Sequence, residues 1–217
     1  MAALVGGMTR RDQILVAVLE VVRSEGWTAV SMRRVADPTG ITATALYGYF
    51  DDREALVAAA VDVAVTVLMS RFALAALEAS SGEGRLWASL EEIRRFTVDE
   101  PDLYAFIFFS VGPSEDTAQA VPPPANDRLI DALEKQVAGW MSEGNMSGET
   151  AEVAAVIAAQ AHGLVLLWRQ GRFKDADAFA DSDLHSRCDQ LAYAVEIRVR
   201  LSYEGLLLIV RRKVDDV

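Results

Sequence analysis

The sequence is poor in the residues that support most covalent and metal chemistry. Its 217 residues include one cysteine, Cys188, and two histidines, His162 and His185. One cysteine excludes an intramolecular disulfide and fits a reducing compartment, and two histidines leave few ligands for a zinc or iron centre. No metal and no cofactor are expected. Long apolar runs are missing as well. The longest, Leu56 to Met69, is interrupted by Asp62, and nothing reaches the roughly 18 uninterrupted apolar residues of a membrane span. The start, Met1 to Gly7, is apolar but lacks a basic flank and is too short for a signal peptide; Met8, just before Thr9-Arg10-Arg11, is a candidate second start. A soluble, cytoplasmic protein with no membrane partner is expected. Basic charge is scarce too, at 21 Lys+Arg against 32 Asp+Glu and a net charge of −11. That excess opposes nucleic-acid binding, because affinity for a phosphate backbone comes from Lys and Arg displacing counterions.

The distribution of charge changes that conclusion. Residues 1–53 hold six arginines and six carboxylates and are neutral, so residues 54–217 carry the whole −11. At 52% hydrophobic the chain is too apolar to be disordered, and its periodicity is helical throughout. Ile14, Ala17, Val18, Val21 and Val22 fall on one face of a helix from about Thr9 to Glu25, ended by Gly26. Ser31 caps a short helix that Pro38 stops at Ala36 or Asp37, and Thr42 caps another running to about Tyr49. Asp51 and Asp52 open a long helix, Arg53 to Ala79, with Leu56, Ala60, Val63 and Val67 on one side. Helices are then expected over Leu86–Val98, Leu103–Val111, Asn126–Met141, Glu149–Gln170 (ended by Gly171) and Leu184–Arg212. Gly112 to Ala125, with three consecutive prolines, is expected to be a loop. No strand alternation appears, so the fold class is all-α.

The informative stretch runs from Ser31 to Tyr47. Two short helices meet at a tight turn, with the small Ala36 four positions before Gly40. The small residue lets the helices approach, and the glycine takes the turn conformation. Val35, Ile41 and Leu46 supply the apolar contacts between them, leaving Thr42, Ala43, Thr44, Tyr47 and Gly48 on the outer face of the second helix, where a recognition helix meets the major groove. The joint spacing of Ile14, Gly26, Ser31, Val35-Ala36, Gly40-Ile41-Thr42, Leu46-Tyr47, Tyr49-Phe50, Arg53 and Leu56 resembles the DNA-binding domain of the tetracycline-repressor (TetR) family of transcriptional regulators. The resemblance covers about residues 9–57. Two departures stand out. Arg53 occupies a position the family usually gives to lysine, and arginine keeps the charge for phosphate. Pro38 lies where the first helix of the motif normally ends and disfavours helical geometry at Asp37.

The resemblance implies a three-helix helix-turn-helix domain over residues 9–53 and a helical effector-binding and dimerisation domain over 54–217. It implies a homodimer on a palindromic duplex operator, most often a repressor, released by a small apolar effector. DNA-contacting candidates are Ser31, Arg33, Arg34, Thr42, Ala43, Thr44, Tyr47, Tyr49 and Arg53. Tyr49 reads equally as a core aromatic, and Arg33 and Arg34 as a solvated face. Phe72, Trp87, Phe106, Phe109, Trp140, His162 and Trp168 are core residues in any helical protein and candidates for the pocket lining in this one. Phe96, Glu100-Pro101-Asp102-Leu103-Tyr104, His162-Gly163 and Gly171 are similar to a TetR subclass with a Trp-His-Gly motif, although Ala161 stands where its tryptophan would. The simpler reading of His162 is a hydrogen-bonded core histidine. Asp181, Asp183 and His185 read as a helix cap, and Arg211-Arg212-Lys213 as a basic last turn. The alternative function is a helical small-molecule-binding protein or enzyme whose helix-turn-helix is degenerate, for which the sequence supplies no nucleophile–base pairing and no phosphate-cradling loop.

Overall fold

The computed structural model describes residues 7–110, 124–144 and 148–172, and among them all regular structure is helical. The expected helix over Leu184–Arg212, residues 112–123 of the expected loop, Cys188 and the Asp181, Asp183, His185 group lie outside the described residues, while Pro124 and Ala125, expected in that loop, open a helix. Contacts divide the chain into two units, residues 1–154 and 155–217.

Helix α1 spans Arg10–Glu25. Thr9 and Asp12 form a reciprocal capping box, the Asp12 N–H donating to Thr9 Oγ1 at 3.2 Å and the Thr9 N–H to Asp12 Oδ2 at 2.9 Å. Such a cap is worth about 1 kcal/mol. Gly26, at φ 81°, ends the helix. The five residues of the expected apolar face are all buried, joined by Leu15 and Leu19. A single 3-10 turn, Trp27–Ala29, leads to α2, Met32–Thr39, and α3, Ala43–Leu46.

Helix α2 corrects the expectation that Pro38 stops it, for the helix runs through Pro38 to Thr39 and ends at Gly40 in the left-handed conformation, φ 67°. The proline falls in the last turn, where its missing N–H costs a single intrahelical bond. Side chains satisfy neighbouring carbonyls. The Thr39 hydroxyl donates to the Val35 and Ala36 oxygens, and Arg10 Nη2 donates to the Thr39 oxygen at 2.6 Å. Helix α3 is shorter than expected. Beyond Leu46 the chain tightens into turns, the Gly48 and Tyr49 N–H groups donating three residues back to Ala45 and Leu46.

Helix α4, Arg53–Ala76, starts at Asp52, whose carboxylate accepts from the Ala55 N–H at 2.7 Å. Its buried stripe is Leu56, Val57, Ala60, Val61, Ala64, Val65, Leu68 and Phe72. Of the face assigned from sequence, Leu56 and Ala60 are buried, Val63 is half-buried and Val67 exposed. The helix is apolar nearly all round, so periodicity alone does not select the face that the neighbours cover. By length and composition α4 and a later helix, α8 (Thr150–Arg169), could each cross a membrane, but α4 packs against α1 and against α5 (Gly82–Asp99), α6 (Pro101–Phe109) and α7 (Pro124–Met141), and its Asp62 accepts from Arg128 Nη1 at 2.7 Å.

Helix α5, Gly82–Asp99, begins four residues earlier than expected. Ser81 caps it, accepting from the Gly84 N–H at 3.0 Å, and the Glu143 carboxylate accepts from the Gly82 N–H. An anion at a helix N-terminus is favoured by the macrodipole. Helix α6, Pro101–Phe109, has its proline in the first turn, where the absent N–H costs nothing. Helix α7 spans Pro124–Met141, likewise opening on a proline. Helix α8, Thr150–Arg169, ends with the Gly171 N–H donating to Trp168 and the Arg172 N–H to Leu167, a glycine-centred cap at φ 64°.

Candidate nucleic-acid interface

The helix-turn-helix is assembled from α2, the Gly40 turn and α3. Val35 and Leu46 are fully buried and Ala36 nearly so, which closes the two helices on each other. Ser31 is spent as the α2 cap, accepting from the Arg34 N–H at 3.2 Å, and Thr42 caps α3, accepting from the Ala45 N–H at 3.1 Å. Packing leaves a continuous exposed surface of Thr42, Thr44, Tyr47, Gly48 and Tyr49, with Ala43 half-buried among them. Tyr47 is 56% and Tyr49 42% exposed, so neither is a core aromatic. Phe50 fills that role at 4% exposure, and the Arg11 guanidinium stacks 4.6 Å from its ring centre.

The arginines divide into braces and exposed cations. Arg53, expected on phosphate, donates from Nε to the Val30 oxygen at 2.7 Å and so fastens the start of α4 to the segment before α2. Arg10 fastens α1 to the end of α2 through Thr39. Arg34 is gripped by Glu25, the last residue of α1: its Nε lies 2.9 Å from both carboxylate oxygens and its Nη2 also donates to Oε1. That hydrogen bonding holds the Glu25 carboxyl below its ordinary range and raises the guanidinium above its own. Arg33 is exposed and makes no hydrogen bond or ion pair among the described residues. Sequence reasoning treated Arg33 and Arg34 alike. Residue 25 lies nine positions before Arg34, a spacing with no local signature, so only the packing of α1 on α2 separates them.

The candidate pocket residues occupy different environments. Phe106 is fully buried in α6, Phe72 is 8% exposed in α4, and Trp87 is half-buried in α5. Phe109, expected to be core, is 39% exposed at the end of α6, because the helix stops there and leaves one side of the ring open. Trp140 is half-buried in α7, and its indole N–H is enclosed with no hydrogen-bond partner among the described residues. His162 and Trp168 belong to residues 155–217, and burial pushes the His162 imidazole below its ordinary value. Sequence reasoning missed a polar set inside this body. Glu92, 7% exposed, pairs with Arg71, which also reaches Asp99 at 3.4 Å and lies 5.2 Å from the Phe96 ring centre. It also missed the bond from Gln136 Nε2 to the buried Ser89 hydroxyl at 2.7 Å. The Arg23–Glu100 contact, 3.0 Å between α1 and the corner that joins α5 to α6, was likewise unseen. All are long-range pairs.

Comparison with known proteins agrees with this architecture. Residues 14–60 match the family model for bacterial regulatory proteins of the tetR family, and residues 86–186 match that for the tetracyclin repressor-like C-terminal domain. The HTH-type transcriptional activator FasR of Mycolicibacterium smegmatis is 28% identical over 124 residues, which are 57% of this chain and 57% of that one; the match thus spans little more than half of the relative's length. Among solved structures, a Rhodococcus protein of unknown function superimposes with a TM-score of 0.65 at 21% identity, covering 81% of this chain and 95% of its own. FadR of Bacillus subtilis, determined with stearoyl-CoA, gives 0.64 at 13% identity, covering 82% and 94%. At those identities the two structures share the fold. With its helix-turn-helix intact and both parts of the sequence matched, the chain belongs to the TetR family of helix-turn-helix transcriptional regulators.

Proposed function

We propose that the chain is a ligand-responsive repressor that binds a palindromic operator as a homodimer and is released by a small apolar effector. Residues 9–53 are the reading head; residues 54–217 hold the effector and the dimer contact. The observation that carries the reading is the exposure of Thr42, Thr44, Tyr47 and Tyr49, and of Arg33, which has no partner among the described residues, in a motif whose core is closed and whose caps are satisfied. Small residues at Ala43 and Thr44 suit close approach to base edges, while Tyr47, Tyr49 and Arg33 suit the phosphates on either side. Arg34 and Arg53 contribute to DNA only by leaving Glu25 and Val30. The turn at Gly40, in the left-handed conformation, supports a working motif over a degenerate one.

An effector regulates such a protein only through unequal affinity for its DNA-competent and incompetent states. Within residues 1–154, Phe72, Trp87, Phe106, Phe109 and Trp140 are the proposed contributors to its site, and the enclosed Trp140 N–H is a donor available to a ligand's polar end. Long-chain acyl-CoA is a sensible first probe, since FadR of B. subtilis was determined with stearoyl-CoA. The reading is tested by selecting duplexes from a random pool with the wild-type protein. An inverted repeat is expected, and Tyr47→Ala with Arg33→Ala is expected to abolish the gel shift on it. Selection without an inverted repeat, or a double variant that binds normally, overturns the assignment. A reporter carrying the selected site decides between repression and activation.

A further inference from the structure

The reading head is unusually short of free positive charge for a DNA-binding surface. Its six arginines are matched by six carboxylates, and four of the arginines are held intramolecularly, Arg10 by Thr39, Arg53 by Val30, Arg23 by Glu20 and Glu100, and Arg34 by Glu25. The first two are gripped by backbone carbonyls and act as braces, and Arg23 makes one contact to each of two carboxylates. Arg34 is different, because a single carboxylate holds it in a two-pronged contact. A carboxylate and a phosphate offer a guanidinium the same pair of acceptor oxygens, and arginine is the side chain whose planar fork matches either. Arg34 sits in the first turn of α2, next to the unpaired Arg33, and Asp37 Oδ2 lies 4.0 Å from its Nη1.

Glu25 also stands where its own helix does not favour it. As the last residue of α1 it puts a negative charge at the negative end of the macrodipole. Nor is the pair a core element: the Arg34 and Glu25 side chains are 48% and 34% exposed, a setting in which ion pairs contribute little to stability. Local helix energetics and global stability therefore both leave the carboxylate unexplained, and its contact with Arg34 supplies what they do not.

Resting on the DNA-binding reading above, we propose that Glu25 is an intramolecular stand-in for a DNA phosphate, which holds Arg34 off the duplex until a correctly placed phosphate displaces it. The exchange raises the threshold for DNA at large. On random duplex, phosphates that are not positioned at Arg34 leave the Glu25 contact intact, and the head binds weakly through its remaining groups. On the proper site, docking of Tyr47 and Arg33 places a phosphate beside α2 and the guanidinium swaps partners. Glu25 thus contributes to discrimination without touching DNA.

Fluorescence anisotropy on a random-sequence duplex across a salt series tests this with the full-length protein. Glu25→Gln is expected to bind several-fold more tightly, with the slope of log K against log salt steeper by about 0.9, the contribution of one further neutralised phosphate. Arg34→Ala added to Glu25→Gln is expected to return slope and affinity to the wild-type values, and Arg34→Ala alone to leave both unchanged. Arg34→Lys keeps the charge but cannot be held by a two-pronged contact, so it is expected to reproduce part of the gain with Glu25 untouched. An unchanged slope in both Glu25→Gln and Arg34→Lys overturns the proposal. So does a gain that survives Arg34→Ala, which would place it on another group, and so does a slope shallower by about 0.9 in Arg34→Ala alone, the mark of a general effect of net charge. If the wild-type protein shows no salt-dependent binding to any duplex, the DNA-binding reading itself fails; if it binds and the Glu25 variant does not differ, only this proposal fails.

Discussion

At the scale of single residues, burial and partner chemistry divide groups that look alike in the sequence. Arg33 and Arg34 are adjacent and identical, yet one faces solvent unpaired and the other is held by Glu25. Tyr47 and Tyr49 share the exposed face, whereas Phe50, one residue on, is in the core. His162 gives a pH test. Burial disfavours its charged form, so its folded-state pKa lies below the ordinary histidine value of 6.5. Between the folded and unfolded values the unfolded chain binds more protons. Stability is therefore lost as pH falls through 6.5 and levels off below the folded value. Replacing His162 with Gln is expected to shrink the drop in melting temperature between about pH 7.5 and 5.5, followed by thermal unfolding in matched buffers. A drop of the same size in the variant would assign the pH dependence to other groups.

At the scale of elements, helix ends were legible because capping is a local code. Thr9, Ser31, Thr42 and Asp52 open helices with their side chains, and Gly26, Gly40 and Gly171 close them at positive φ. Where boundaries moved, tertiary contacts moved them. Pro38 stays inside α2 because Arg10 and Thr39 supply hydrogen bonds at its end, and α5 begins at Gly82 because Glu143 of the segment after α7 meets its first N–H. Gly82 itself is required by a close crossing. A Cβ there would lie 2.6 Å from the Gly139 carbonyl carbon and 2.7 Å from the Trp140 nitrogen, and backbone atoms of a packed helix cannot step aside. Gly82→Ala is expected to lower stability by about 1–3 kcal/mol, the usual cost of overpacking, measured by denaturant unfolding. Gly84→Ala is the control: its Cβ would meet the Ser81 hydroxyl at 3.2 Å and the Ala79 Cβ at 3.4 Å, so a small side-chain adjustment suffices and the loss should be smaller.

At the scale of the molecule, the relevant question is how the acidic body reaches the neutral head. Within residues 1–154, α6 packs on α1 and α4 runs from the head into the body. The corner between α5 and α6 is gripped twice, Asp99 by Arg71 of α4 at 3.4 Å and Glu100 by Arg23 of α1 at 3.0 Å. Glu100 also ends α5 and begins α6 through its own backbone, its N–H donating to Phe96 and its carbonyl accepting from Tyr104. Arg23→Ala is expected to raise amide hydrogen exchange across residues 99–104 several-fold while global stability changes by about 1 kcal/mol, because both side chains keep about a third of their surface in solvent. Unchanged exchange at the corner would show that the apolar packing of α6 on α1 holds it without the ion pair.

The sequence by itself determined the helical class, most helix ends, the closed helix-turn-helix and the outward face of Thr42, Thr44, Tyr47 and Gly48, but not the exposure of Tyr49. Each follows from residues within a few positions of one another, where capping, periodicity and glycine conformation act. Tertiary structure alone decided which side of the nearly all-apolar α4 is buried, that Arg53 braces Val30, that Arg34 is held by Glu25, and that Gly82 crosses Gly139. Those outcomes depend on pairs 9 to 61 residues apart, and a spacing of that length carries no geometry until the helices between are packed. The neutral charge of the head was legible in the sequence; which of its arginines are free to meet a phosphate was not.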